Sequence, residues 1–72
     1  MDRRMLIEHL AKANKHVEAG ERRVLRQREL VAELERDGHD TAAARQLLVQ
    51  FEKLQEMHKA DRDRLERDLV AG

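Results

Sequence analysis

The sequence predicts an all-α fold in which one antiparallel two-helix hairpin, similar to a coiled coil, pairs with a second copy into a homodimeric four-helix bundle. Three observations predict it. The 72 residues include no proline and three glycines, so long helices meet few breakers. Apolar residues recur at alternating spacings of three and four in both halves of the chain, which is the period of a coiled-coil seam. One short break near residue 38 separates the halves, so residues 1–72 form a single hairpin.

Helix 1 is expected over about residues 2–37. Its apolar and small residues alternate between two heptad positions, and Gln27 is the one interruption of the pattern. Position a is occupied by Leu10, Val17, Val24 and Val31, and position d by Leu6, Ala13, Gly20, Gln27 and Leu34.

The turn is expected at about residues 38–40. Gly38 can adopt the left-handed conformation that ends a helix, and the side-chain oxygen of Asp40 or Thr41 can cap the next one. A break this short is typical of the tight connection in an αα-hairpin.

Helix 2 is expected over about residues 41–70. Its predicted inward row has the same alternating spacing, with Leu48 and Leu69 one position to the side. The row consists of Ala44, Leu47, Phe51, Leu54, His58, Asp61 and Leu65.

The turn also predicts which residues of the two helices face each other. If the turn is centred near residues 38 and 39, the numbers of facing residues add to roughly 78. This register pairs Gly20 with His58, a small residue with a larger one, so that the side chains interdigitate. It also pairs Leu34 with Ala44, Val31 with Leu47, Val24 with Leu54 and Ala13 with Leu65.

Self-association is expected because one hairpin leaves part of its apolar surface uncovered. Ordering the chain costs roughly 1–2 kcal/mol per residue for the backbone alone, and a lone hairpin buries little in return. A symmetric dimer is the predicted solution; a higher oligomer and docking on an unidentified protein partner are alternatives. The predicted self-association seam consists of Leu10, Val17, Val24, Val31, Leu34, Leu47, Leu48, Phe51, Leu54 and Leu65.

The composition argues against an enzyme. The chain has no cysteine, serine or tyrosine and no glycine-rich loop, so the usual nucleophiles and a phosphate cradle are missing. We therefore predict no catalytic residues and no cofactor. The longest apolar runs are far shorter than the ~20 residues of a membrane span, and no apolar leader follows the first residues. We expect a cytoplasmic protein without a membrane partner.

Three polar residues of the predicted seam region form the candidate metal or ligand site. His16, His58 and Asp61 come together in the predicted register, and histidine also serves as a pH-sensitive switch. The alternative interpretation is a polar layer that fixes the register. No Glu-x-x-His or His-x-x-x-His spacing supports a metal, so we predict none.

Four arginines on helix 1 make RNA binding the competing function. Arg22, Arg23, Arg26 and Arg28 lie within about two turns, and dimerisation would duplicate them. The architecture resembles that of the plasmid-copy-number regulator Rop, a hairpin dimer that binds paired RNA loops, although fold does not imply function. Acidic residues between the arginines, a net charge of zero and a single aromatic residue argue against nucleic acid.

Two stretches, residues 28–41 (RELVAELERDGHDT) and residues 61–65 (DRDRL), resemble a family of short uncharacterised bacterial proteins. In that family an Asp-Gly-His-Asp-Thr turn joins two charged helices. The resemblance implies a complete, cytoplasmic bacterial hairpin protein with no assigned activity, and it assigns no functional residues.

Overall fold

The computed structural model describes residues 2–71, which form two helices, α1 (Arg3–Arg36) and α2 (Ala42–Ala71), and no strand. The helices pack against each other as a hairpin, a rod of 53 × 14 × 13 Å. A straight helix of 34 residues is about 51 Å long, so the two helices run alongside each other over nearly the whole rod. The predicted all-α hairpin is confirmed.

The first helix begins with a side-chain cap. Asp2 has an extended backbone, and its carboxylate accepts a hydrogen bond from the Met5 backbone N–H at 2.9 Å. This bond satisfies one of the backbone donors that have no partner inside the helix. Residues 2 and 37 are therefore the caps of α1, which places its bounds one residue inside the predicted 2–37.

The first helix ends as its local sequence predicts. Gly38 has a φ of 74°, the left-handed conformation expected of it. The His39 N–H donates to the Leu34 carbonyl at 2.9 Å and the Gly38 N–H to the Glu35 carbonyl at 3.2 Å. These two bonds define a Schellman motif, in which a glycine lets the chain leave the helix while its last carbonyls keep partners.

The connection occupies residues 37–41, longer than the predicted 38–40, and α2 begins at Ala42. Of the two predicted caps, Asp40 provides the side-chain oxygen, which accepts from the Ala42 N–H at 2.9 Å. Thr41 instead accepts with its backbone carbonyl from the Arg45 N–H at 2.8 Å, and its hydroxyl accepts from the Arg45 side chain. Both residues thus fix the start of α2.

The interface between the helices is shared unequally. The first helix buries seven residues along one face, whereas only Gln55 and Leu65 are buried on the second. No large side chain of the described residues is less than 2% exposed. The buried row of α1 follows the predicted heptad positions and consists of Leu6, Ala13, Val17, Gly20, Val24, Gln27 and Val31.

The row of α2 that faces α1 differs from the predicted one. Leu48 is half-buried and Gln55 buried, while Leu47 and Leu54 are 40% and 39% exposed. The predicted pairings of Val31 with Leu47 and of Val24 with Leu54 are therefore wrong. The row that packs on α1 consists of Ala44, Leu48, Phe51, Gln55, His58, Arg62, Leu65 and Leu69.

The predicted pairing of Gly20 with His58 is also wrong, because Gly20 lies against Gln55. A Cβ atom added at Gly20 would be only 2.8 Å from the Gln55 Cδ atom. The glycine thus leaves the space that the Gln55 amide fills. The pairing of Ala13 with Leu65 is confirmed in coarser form, since both belong to one apolar cluster with Leu6.

Candidate self-association surface

Two glutamines join the helices through hydrogen bonds to backbone carbonyls. The Gln55 Nε2 atom donates to the Val17 carbonyl at 2.8 Å, and the Gln27 Nε2 atom donates to the Ala44 carbonyl at 3.0 Å. Both glutamines are 7% exposed. Because each bond joins one position on one helix to one position on the other, together they fix how the helices align along their length.

Charged pairs join the two helices along one side of their interface, which we call the ion-paired flank. Arg28 donates to the Glu52 carboxylate at 3.1 Å, and Arg45 forms an ion pair with Glu35. A groove of about 370 Å³ on this side is lined mostly by charged residues. The ion-paired flank comprises Glu21, Arg28 and Glu35 of α1 with Arg45, Glu52, Glu56 and Lys59 of α2.

The opposite side, which we call the open flank, follows from the same heptad geometry. It carries His9, His16, Arg23 and Leu30 of α1 and Leu47, Leu54 and Asp61 of α2. Among its residues near the turn, Leu30, Leu47 and Leu54 are each about two-fifths exposed.

The predicted seam residues fall into three groups by their exposure in the single hairpin. Val17, Val24, Val31 and Leu65 are buried between α1 and α2. Leu10, Leu34, Leu48 and Phe51 are half-buried. Leu47 and Leu54 are exposed, which leaves them free for contact with another chain.

His16 of α1 and His58 of α2 approach each other across the helix interface. The ring centres of His16 and His58 are 5.3 Å apart. Asp61 lines the same shallow depression as His16, and its carboxylate forms an ion pair with Arg64. The hydrogen bond that Arg64 donates to the Asp61 carboxylate, together with the Asp61 charge, raises the pKa of the Arg64 guanidinium above its ordinary value. Within residues 2–71, no group of three or more potential metal ligands comes together.

The four arginines of the nucleic-acid hypothesis do not share one surface. Arg28 is paired with Glu52 on the ion-paired flank, whereas the Arg23 guanidinium lies over the Phe51 ring, 5.7 Å from its centre, on the open flank. Arg22 and Arg26 are exposed. The cluster that looks dense in the sequence is thus divided between two sides of the helix.

Gln55 is a buried interface residue that was not predicted from the sequence, and the half-buried Arg62 is another. A second row on α2, through Leu48, Gln55 and Leu69, has spacing as regular as that of the predicted row. The prediction placed Leu48 and Leu69 one position to the side of the inward row and did not assign Gln55 to it. The small Gly20 in helix 1 indicated a longer side chain opposite, but the predicted register assigned that position to His58 instead of Gln55.

Comparison with known protein families, curated proteins and solved structures finds no match for the chain. The resemblance to short bacterial hairpin proteins therefore stays a prediction. Neither helix of the described residues is long and apolar enough to cross a membrane.

Proposed function

We propose that this protein is a small, non-enzymatic helical interaction protein of the cytoplasm that acts as a homodimer, with two hairpins forming a four-helix bundle. The observation that carries the proposal is the large surface that the single hairpin leaves in contact with water. The dimer would then provide the rigid helical surface for contacts with other proteins.

The hairpin exposes 5674 Å². A compact monomer of 8.5 kDa exposes about 4,700 Å² by the general relation between mass and surface. The excess of about 1,000 Å² is close to the ~800 Å² that each partner buries in a stable protein interface. One dimer contact of ordinary size would thus bring the exposed surface of each chain to the value of a compact protein.

The kind of residue exposed supports the same conclusion. Nine large apolar side chains among the described residues are 39% to 89% exposed, while the residues buried inside the hairpin are mostly small or of medium size. Two of the nine, Leu47 and Leu54, belong to the predicted seam. Covering such side chains contributes about 25 cal/mol per Å² of apolar area.

Sedimentation equilibrium over a dilution series from about 100 μM to 0.1 μM tests the proposal, with far-UV circular dichroism at each concentration. We expect twice the chain mass at high concentration. On dilution, mass and helicity should fall together, because the isolated hairpin lacks the burial that keeps it folded. A fully helical monomer at every concentration would contradict the proposal.

A further inference from the structure

The second helix carries a regular row of uncharged residues that does not face the first helix. The row repeats every four and three residues, as a helix seam does. Leu47, Leu54 and Met57 are 40%, 39% and 67% exposed, and Ala43 and Gln50 are also exposed. We call this row the uncharged strip; it consists of Ala43, Leu47, Gln50, Leu54 and Met57.

The uncharged strip gives α2 two neighbouring seams. One seam packs on α1, and the strip lies beside it on the open flank. A helix with two adjacent apolar rows has a face wide enough to contact two other helices, which for α2 would be α1 of its own chain and a helix of the second copy. The hairpin itself supplies only one of these two contacts.

The other surfaces are less suited to the second copy. The ion-paired flank also exposes apolar residues, Leu25 and Val49, but charged pairs such as Arg28 with Glu52 lie between the helices there. Covering those pairs would remove charges from water, which is unfavourable. On the α1 side of the open flank, the exposed Leu30 lies among polar and charged residues, so that side offers no continuous apolar row; these residues include His9, Lys12, His16, Arg23, Arg26 and Glu33.

We infer that the second copy docks on the uncharged strip, with α2 of one chain antiparallel to α2 of the other and the twofold axis passing near Gln50. The inference rests on the proposed dimer and states which face forms it. Since no other described surface has such a row, the complement of the strip is the same strip on the second copy.

The antiparallel direction follows from size and charge. It places Ala43 against Met57 of the second copy, a small residue against a large one, and Leu47 against Leu54. A parallel arrangement would instead oppose Asp61 and Arg64 to their own copies, which like-charge repulsion disfavours. Gln50 meets its own copy at the axis, where two amides can hydrogen-bond to each other.

Two matched glutamate variants test whether the uncharged strip forms the dimer contact. Leu54→Glu would place a carboxylate in the proposed contact twice per dimer, so we expect the dimer Kd to rise by about 100-fold or more in sedimentation equilibrium. Leu25→Glu is the control, because Leu25 is 57% exposed on the ion-paired flank. We expect its Kd to stay within about threefold of the parent chain. The opposite ranking would overturn the inference.

Cysteine cross-linking tests the same arrangement in nearly native chains, since the sequence contains no cysteine. Under mild oxidation, Gln50→Cys should give a covalent dimer, and Leu25→Cys should not. A chain that carries only Ala43→Cys or only Met57→Cys should form no covalent dimer. A chain that carries both substitutions should form one. The two sites are about 21 Å apart within one helix, too far for an internal disulfide.

The outcomes separate this inference from the proposed function. A parent chain that sediments as a monomer would contradict the function itself. A dimer that cross-links through Leu25→Cys but not through Gln50→Cys would keep the function and overturn the proposed face. Efficient coupling of Ala43→Cys or Met57→Cys alone would show a parallel pair and overturn the antiparallel direction.

Discussion

Apolar side chains are buried between the helices both at the end of the hairpin far from the turn and in the half next to the turn, which contains Val24 and Val31, but the polar contacts between the helices differ. At the far end, an apolar cluster joins the two helices. Closer to the turn, the contacts between helices include the Gln27 bond to the Ala44 carbonyl and the ion pairs of Arg28 and Arg45. The apolar cluster consists of Leu6, Ala13 and Leu65, with Leu10 and Leu69 packed against it.

The difference shows where a hairpin needs apolar contact. The connection of residues 37–41 keeps the two helices close at the turn, and closing so short a loop loses little entropy. The other end lies about 50 Å away along a rod 53 Å long, where nothing covalent opposes separation. Apolar burial there holds the helix ends together, while nearer the turn polar contacts add to the buried Val24 and Val31 and set the alignment.

The largest expected effect is therefore at the far end. Leu65 is 3% exposed in the apolar cluster, so Leu65→Ala should lower the free energy of unfolding by about 3 kcal/mol. Urea denaturation followed by circular dichroism at one fixed protein concentration measures it. Val70→Ala is the control, because Val70 is 89% exposed and should change stability by less than about 0.5 kcal/mol. Equal losses in the two variants would refute the role of the cluster.

A substitution closer to the turn, at Phe51, is expected to lower the free energy of unfolding by a smaller amount. Phe51 is half-buried, with the Arg23 guanidinium over its ring. Phe51→Ala should lower the free energy of unfolding by about 2 kcal/mol, less than the 3–5 kcal/mol of a fully buried phenylalanine. The same urea measurement checks it, with Phe51→Leu as a variant that retains most of the apolar contact. A loss larger than that of Leu65→Ala would reverse the comparison between the two regions.

Local chemistry made much of this fold predictable from the sequence. Gly38 has one conformation that suits a helix end, and Asp40 follows at the distance of a cap, so the turn could be located within a residue or two. The inward row of α1 was also predictable, because only one row of that helix has regular apolar spacing.

The inward row of α2 was not predictable by the same reasoning. Two rows share Ala44, Phe51, His58 and Leu65, and hydrophobicity favours the row that has Leu47 and Leu54 between them over the row that has Leu48 and Gln55 there. The structure selects the row through Gln55 because of a long-range match with Gly20, 35 positions away in the sequence. The predicted metal or ligand site was also only partly predictable. His16 and His58 approach each other because of the alignment of the two helices, whereas Asp61 forms an ion pair with Arg64 on its own helix.

That long-range match can be tested directly. Gly20→Ala should lower the free energy of unfolding by about 1 kcal/mol, although alanine favours a helix by about the same amount. The added methyl group would displace the Gln55 amide from its bond to the Val17 carbonyl, at a loss of about 2 kcal/mol.

The reference for this test is the Gln55→Ala background, measured by the same urea denaturation. With the amide removed, Gly20→Ala should stabilise the chain by up to about 1 kcal/mol, because only the helix preference remains. If Gly20→Ala has the same effect in both backgrounds, the two residues are not coupled, and the glutamine does not set the alignment.

The smallest expected effect is on the ion-paired flank. A double-mutant cycle with Arg28→Ala and Glu52→Ala should give a coupling of about 0.5 kcal/mol at low salt, decreasing as salt is added. The side chains are 59% and 42% exposed, so water and salt screen most of their attraction. A coupling above about 1.5 kcal/mol that persists at high salt would mean that this pair is shielded from water, as it would be if the second copy covered the ion-paired flank. In that case the half next to the turn would be held as firmly as the far end, and the division of roles between the two regions would not stand.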